Sequence, residues 1–421
     1  MQSEKFSTLN TPIQIKRTSV LVGEASLLPA SKSISNRALI INALAGGTSD
    51  LYNLSDANDT QLMLRLVKST DNEIDVEDAG TTMRFLTAYF AATNQQKILT
   101  GTARMRERPI GILVDALRRL GADIDYLEKE GFPSHQIKNF RGQQTDTIHI
   151  RGDVSSQYIS ALMMIGPILP NGLTLILEGK VGSRPYIEMT ASLMKHFGAQ
   201  VTVHADKVVI AHQSYKPESY TVESDWSAAS YWFAFTALGE KAEIKLPKLL
   251  SNSLQGDSAI VQIMNSLGVI SQFENGILHL SKKQAEKELS WDFTHCPDLA
   301  QTVAVVCAAK NIKGYFTGLE SLKIKETDRI SALQNELRKI GADLIEKDLE
   351  HWILIPSNGL PKSASFLTYK DHRMAMAFAP LATLMDIEIE GPDAIRKSYP
   401  NFWNDMKSFG FAIQPSSRVL K

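Results

Sequence analysis

Pro29-Ala30-Ser31-Lys32-Ser33-Ile34-Ser35-Asn36-Arg37 separates a strand-like run, Ser19 to Val22, from a helix-like run, Ala38 to Ala45, that stops at Gly46-Gly47. Two cations five residues apart, three hydroxyls and an amide therefore gather at the mouth of a helix. The first backbone N–H groups there lack partners, and the positive end of the helix dipole points the same way. Such a place holds a phosphate or a carboxylate. The Gly-x-x-x-x-Gly-Lys-Ser/Thr pattern of a nucleotide loop is absent. Taken alone, the segment is better explained as a serine-capped helix with solvated cations.

The same design recurs along the chain. Segments that are alanine-rich, apolar nearly all round and polar only at their start begin near Ser33, Thr81, Ser155, Ser227, Pro297 and Asp371. A helix apolar on every side belongs inside a domain. Between them lie amphipathic segments that end in glycine: Pro109 to Leu120-Gly121, Pro185 to Phe197-Gly198 and Thr327 to Ile340-Gly341. Asp59 to Lys68, Asp257 to Leu267-Gly268 and Asn401 to Phe409-Gly410 are looser copies. Proline near the start and glycine just past the end set their bounds.

Short strand runs such as Val208 to Ile210 and Trp352 to Ile355 cover the buried helices. The count predicts an α/β fold of six β-α-β-α-β-β units, three per domain. The break between halves is expected near Gly239-Glu240-Lys241, giving residues 29–239 as one domain and 1–28 plus 240–421 as a discontinuous second. Buried helix starts are costly unless something polar meets them. Several are therefore expected to face one wet, anion-attracting cleft.

A chain of 421 residues can hold two or three cores, and 43% hydrophobic with 22% charged residues is ordinary globular composition. Net charge is −1, which excludes a global field drawing the chain to nucleic acid or membrane. Cys296 and Cys307 lack C-x-x-C spacing, so neither a disulfide framework nor a zinc site is suggested. Met1 to Lys5 has no signal-peptide core, and Tyr158 to Leu169 is too short to span a bilayer. A cytoplasmic location is expected.

The polar starts carry the chemistry, each with a plainer alternative. Gly80 in Asp78-Ala79-Gly80-Thr81 lets a ligand approach the backbone, or simply turns the chain. Arg108, ahead of Pro109, can grip an anion bidentately, though Arg104 to Arg108 also reads as a solvated charge run. Ser155-Ser156-Gln157 suits a phosphate, and capping explains one serine but not the trio. Ser183 in Gly182-Ser183-Arg184-Pro185-Tyr186 can touch a ligand or cap. Asp298 opens an apolar helix, where desolvation is expected to raise its pKa and fit it for proton transfer; an N-cap is the commoner role. Lys325, Glu326 and Arg329 can bind an anion and deliver a proton beside it, or form surface pairs. Arg373 follows Asp371-His372, with no metal-ligand spacing and no Ser-His-Asp order. Lys397 is a lone cation. Together, at so many helix starts, these residues outweigh coincidence.

In order, Ser31-Lys32-Ser33-x-Ser35-Asn36-Arg37, Arg106 to Gly111, Ser155-Ser156-Gln157, Lys325 to Arg329 and Asp371 to Met376 resemble the enolpyruvyl transferases, from about Ile13 to Phe411. The similarity is greatest to the branch acting on 3-phosphoshikimate. It implies two inside-out α/β barrels of three repeats each, with the site in the cleft between domains that close on substrate. The implied reaction moves the enolpyruvyl group of phosphoenolpyruvate to the 5-hydroxyl of 3-phosphoshikimate, with phosphate leaving, by addition and elimination. It implies no cofactor and no metal, and neither nucleic acid nor membrane is an expected partner; a monomer is expected.

Carried over by resemblance, Lys32, Ser33, Arg37, Ser155, Ser156, Gln157, Ser183, Asp298 and Lys325 bind 3-phosphoshikimate. Lys32, Gly80, Arg108, Gln157, Arg329, Arg373 and Lys397 bind phosphoenolpyruvate. Asp298 accepts the hydroxyl proton, Glu326 protonates the methylene carbon, and Lys32 assists.

The chain departs from the family pattern at four places. Ala30 replaces a glycine, Asp78 an asparagine, Phe85 a proline and Ser321 an asparagine. Phe85 is expected to shift Gly80, and Ser321 to shorten or lose a substrate contact. One rival is the sister transferase acting on UDP-N-acetylglucosamine, which has Lys-Asn where this chain has Lys32-Ser33 and a cysteine in the loop from Arg104 to Arg108. Another is an inactive phosphate-sugar binding protein, for which the acids Asp298 and Glu326 have no use.

Overall fold

A computed structural model describes residues 11–153, 155–182 and 184–416. The chain forms two compact units. One comprises residues 30–223 with 254–256, and the other residues up to Pro29 with 224–253 and 257 onward. Each has its own apolar core.

Six nearly fully buried helices make these cores, each as the sequence pattern predicts. The 30–223 unit holds α1 (Lys32–Leu44), α2 (Gly80–Ala92) and α3 (Ser156–Ile165), which pack on one another. The other unit holds α4 (Trp226–Leu238), α5 (Ala300–Ala309) and α6 (His372–Phe378), likewise in mutual contact.

Four of the six are crossovers between parallel strands, which need such a connection. Glu73–Asp75 pairs with Lys97–Thr100 around α2, and Thr147–Arg151 with Leu173–Glu178 around α3. Glu288–Asp292 pairs with Lys313–Thr317 around α5, and Ser363–Leu367 with Asp386–Glu390 around α6. An amphipathic helix and an antiparallel strand pair then complete each four-stranded sheet; in the last of these, Ile13–Ile15 from the N-terminal segment supplies one strand. The amphipathic helix Gly111–Leu120 shows how such a helix stops. Gly121 adopts φ 116°, and a Cβ there would collide with the carbonyl of Gly142.

Two expectations change. Five repeats are complete, but the repeat around α1 has only the two-residue pairing of Leu51–Tyr52 with Tyr220–Thr221 among the described residues. The second crossing between units falls at Glu223/Ser224, not near Gly239. The reason is α4. Trp232 lies 4.7 Å from the Phe409 ring and donates Nε1–H to Tyr399 Oη at 3.2 Å, which fixes α4 in the second core. Burying each such side chain is worth about 1.5–3 kcal/mol.

Candidate active site

In the 30–223 unit, one set of contacts joins the starts of α1, α2 and α3. Ser31 caps α1 by accepting from Ile34 N. Lys32 extends Nζ to Asp59 Oδ2 at 3.1 Å, both side chains being largely buried, and the Asp59 carbonyl accepts from Thr82 Oγ1 at 3.4 Å. Next to Thr82, Thr81 Oγ1 accepts from Gln157 Nε2 at 3.0 Å, which ties α2 to α3. Ser155 caps α3, and Ser156 beside it is buried.

Arg37 is 2% exposed. It donates to Thr190 Oγ1 at 2.7 Å, Ser160 Oγ at 2.9 Å and the Ser33 carbonyl at 2.9 Å. Its guanidinium lies between the rings of Phe85 and Tyr186, at 5.3 and 5.6 Å. No carboxylate among the described residues lies within ion-pair distance of it. Burial pulls its pKa down to about 10, so it stays cationic at neutral pH.

Gly80 and Arg108 are in direct contact. A Cβ on Gly80 would sit 2.6 Å from Arg108 Nη2 and 2.7 Å from Nη1. Arg84 fixes both sides of this contact, donating to the Gly80 carbonyl at 3.1 Å and the Pro109 carbonyl at 2.8 Å. Asp78 accepts from Thr102 Oγ1, and Ala79, at the N-cap of α2, supplies no side-chain cap.

In the second unit, two arginines organise three acids. Arg329, 1% exposed, donates to Asp298 Oδ1 at 2.9 Å, Glu326 Oε2 at 2.7 Å and Asp371 Oδ2 at 2.7 Å. Arg373 donates to Asp298 Oδ2 at 2.8 Å and to its carbonyl at 3.3 Å. Burial would raise the Asp298 carboxyl, but Arg373, Lys325 and Arg329 together hold it well below the usual carboxylate range. The expected rise is therefore reversed: the acid faces three cations rather than an apolar helix alone. Burial lowers the pKa of Lys325, which Asp298 partly offsets. Lys397 ends the 3₁₀ turn Pro392–Lys397, which packs on α6. Asp371 caps α6 through Arg373 N at 2.9 Å, so a residue placed by capping also holds Arg329.

Each unit thus presents anion-binding groups at buried helix starts, and the second adds paired acids. A search of protein families matches the EPSP synthase model, 3-phosphoshikimate 1-carboxyvinyltransferase, over residues 15–78 and 65–406. The chain belongs to the EPSP synthase family. A 3-phosphoshikimate 1-carboxyvinyltransferase of Bacteroides fragilis strain YCH46 is 48% identical over 411 residues, covering 96% of this chain and 98% of that protein. One from Haemophilus influenzae strain PittEE is 37% identical, with 90% and 95% covered. The structure of EPSP synthase from Acinetobacter baumannii superposes with TM-score 0.78 at 21% identity, over 97% of this chain and all of that one. The enolpyruvyl transferase NikO from Streptomyces tendae gives 0.70 at 12% identity, over 97% and 99%. These two likenesses bear on the fold, which is the inside-out α/β fold with two domains.

Within the family frame, the structure gathers Lys32, Ser33, Arg37, Gly80, Arg108, Ser155, Ser156 and Gln157 in one unit. It gathers Asp298, Lys325, Glu326, Arg329 and Arg373 in the other, with Lys397 on a neighbouring turn. Ser183 lies outside the described residues. Among the described residues no group of three or more His, Cys, Asp or Glu is placed to hold a metal ion. Asp59, Arg84 and Phe85 carry positioning that motif reading did not assign. Asp59 was visible only as an acid in the first turn of an amphipathic helix, a common placement. Ser321 is exposed on the 3₁₀ turn Glu320–Ile324.

Proposed function

We propose that this chain transfers the enolpyruvyl group of phosphoenolpyruvate to the 5-hydroxyl of 3-phosphoshikimate, working as a cytoplasmic monomer. The observation that carries the reading is the acid pair Asp298 and Glu326 held on one arginine, Arg329, at 2.9 and 2.7 Å, in a chain of the EPSP synthase family. Two polyanions must be brought together against their repulsion, which calls for buried cations and helix N-termini. Arg37, Lys32 and the Ser155-Ser156-Gln157 start serve the shikimate side. Arg108 against Gly80, with Arg329, Arg373 and Lys397, serves phosphoenolpyruvate.

In the forward reaction the acceptor oxygen forms a bond to C2 of phosphoenolpyruvate while C3 gains a proton. Glu326 supplies that proton, and Asp298 takes the proton of the hydroxyl. The tetrahedral adduct then loses phosphate as C3 gives a proton back, which restores the double bond. Each acid–base group is worth roughly a hundredfold to ten-thousandfold, and cationic positioning supplies much of the remainder. No helix among the described residues is long and apolar enough to cross a membrane.

Phosphate release from phosphoenolpyruvate, measured with each acceptor in turn, tests this. Turnover with 3-phosphoshikimate and none with UDP-N-acetylglucosamine is expected; the opposite preference, or binding without turnover, overturns it.

A further inference from the structure

Asp257 is a buried acid that the reaction above does not use. It sits in the 3₁₀ turn Gly256–Ala259, 4% exposed, and its Oδ2 accepts the hydroxyl hydrogen of Ser227. Ser227 is the second residue of α4, whose cap is Asp225. Its Oγ lies 3.4 Å from Nη2 of Arg373, the same nitrogen that donates to Asp298 Oδ2 at 2.8 Å. A hydroxyl has one hydrogen and two lone pairs. Because that hydrogen is given to Asp257, the lone pairs of Ser227 face the guanidinium.

We infer that Asp257 is a positioning residue for phosphoenolpyruvate binding, which acts through Ser227 to fix the orientation of Arg373. The inference rests on the assignment of Arg373 to phosphoenolpyruvate. Arg373 is thereby held at two points on Nη2, Ser227 on one side and Asp298 on the other, with Nη1 on the Asp298 carbonyl at 3.3 Å. Without Asp257, the Ser227 hydroxyl is free to turn its hydrogen toward the guanidinium and repel it. The groups that bear on Asp257 are consistent with such a part. Burial raises its carboxyl to about 7, with Asp298 and Asp225 adding to the rise and Arg373 and Ser227 opposing it. Its Oδ1 has no hydrogen-bond partner, so the side chain is held at this cost through its single contact with Ser227.

Steady-state kinetics on Asp257→Leu, Asp257→Asn, Ser227→Ala and the Leu/Ala double variant test the inference. Asp257→Leu is expected to raise KM for phosphoenolpyruvate about tenfold, the loss of one hydrogen bond to a charged group. KM for 3-phosphoshikimate should stay within twofold of wild type. Asp257→Asn keeps an acceptor oxygen and should restore most of the affinity. Ser227→Ala should match Asp257→Leu, and the double variant should be no worse than either, since both break one chain of contacts. Equal effects of Leu and Asn, equal rises in both KM values, or multiplying losses in the double variant overturn the inference. Ser227→Ala removes a single oxygen and carries the comparison if Asp257→Leu does not fold. Arg373→Lys is the control: if it leaves KM for phosphoenolpyruvate unchanged, the reading of Arg373 itself falls.

Discussion

Arg108 lies across Gly80 so closely that a methyl group on Gly80 would stand 2.6 Å from Arg108 Nη2. Any side chain at position 80 must therefore displace the guanidinium. Gly80→Ala is expected to displace Arg108 and lower kcat/KM for phosphoenolpyruvate by roughly a hundredfold, as misplacement of a binding group does. The thermal midpoint should change little, since the clash is with a side chain end. Kinetics beside a melting curve check this.

Arg37 between Phe85 and Tyr186 gives a second expectation. Phe85 stands where the family has proline, and it supports the guanidinium with its ring face at 5.3 Å. Phe85→Leu keeps the apolar volume but removes the cation–π contact, worth about 0.5–2 kcal/mol. KM for 3-phosphoshikimate should rise several-fold and that for phosphoenolpyruvate should not.

Arg329 pairs with Asp298, Glu326 and Asp371 in a buried setting. Removing one partner of a buried ion pair costs about 3–5 kcal/mol. Arg329→Met should lower unfolding free energy by that order in denaturant titration and also abolish turnover. A stable, inactive variant would mean that the arginine serves substrate alone.

His135 sets a pH limit. Its Nε2 meets Thr87 Oγ1 at 3.0 Å, and burial, with Arg84 and Arg118 nearby, lowers its pKa to about 3. The unfolded chain, with an ordinary value of about 6.5, then binds the proton that the folded chain refuses. Stability from this group is complete above about pH 6.5 and falls as pH drops toward 3. His135→Gln should flatten that part of the stability profile, as read by unfolding at pH 7 and at pH 4.5.

Much of this was legible in the chain. The all-round apolar runs predicted six buried helices, and α4 shows why, because Trp226 to Leu238 offers no polar face to solvent. The crossing at Glu223 was not legible, since no proline- or serine-rich linker marks it and only the packing of Trp232 decides it. Motifs named the cations, because capping and anion binding both place polar residues at helix starts. They did not name Asp59, Arg84 or Asp257, whose partners lie 27, 25 and 30 residues away in the chain. Nor did they give the direction of the Asp298 shift, which depends on three cations from two separate segments.

The most direct test incubates the purified protein with phosphoenolpyruvate and 3-phosphoshikimate and follows phosphate and the carboxyvinyl ether together, with Lys32→Ala in parallel. One phosphate for each ether formed, with loss of both in Lys32→Ala, is the expected result. Phosphate without ether, or near-normal turnover by Lys32→Ala, would contradict the account.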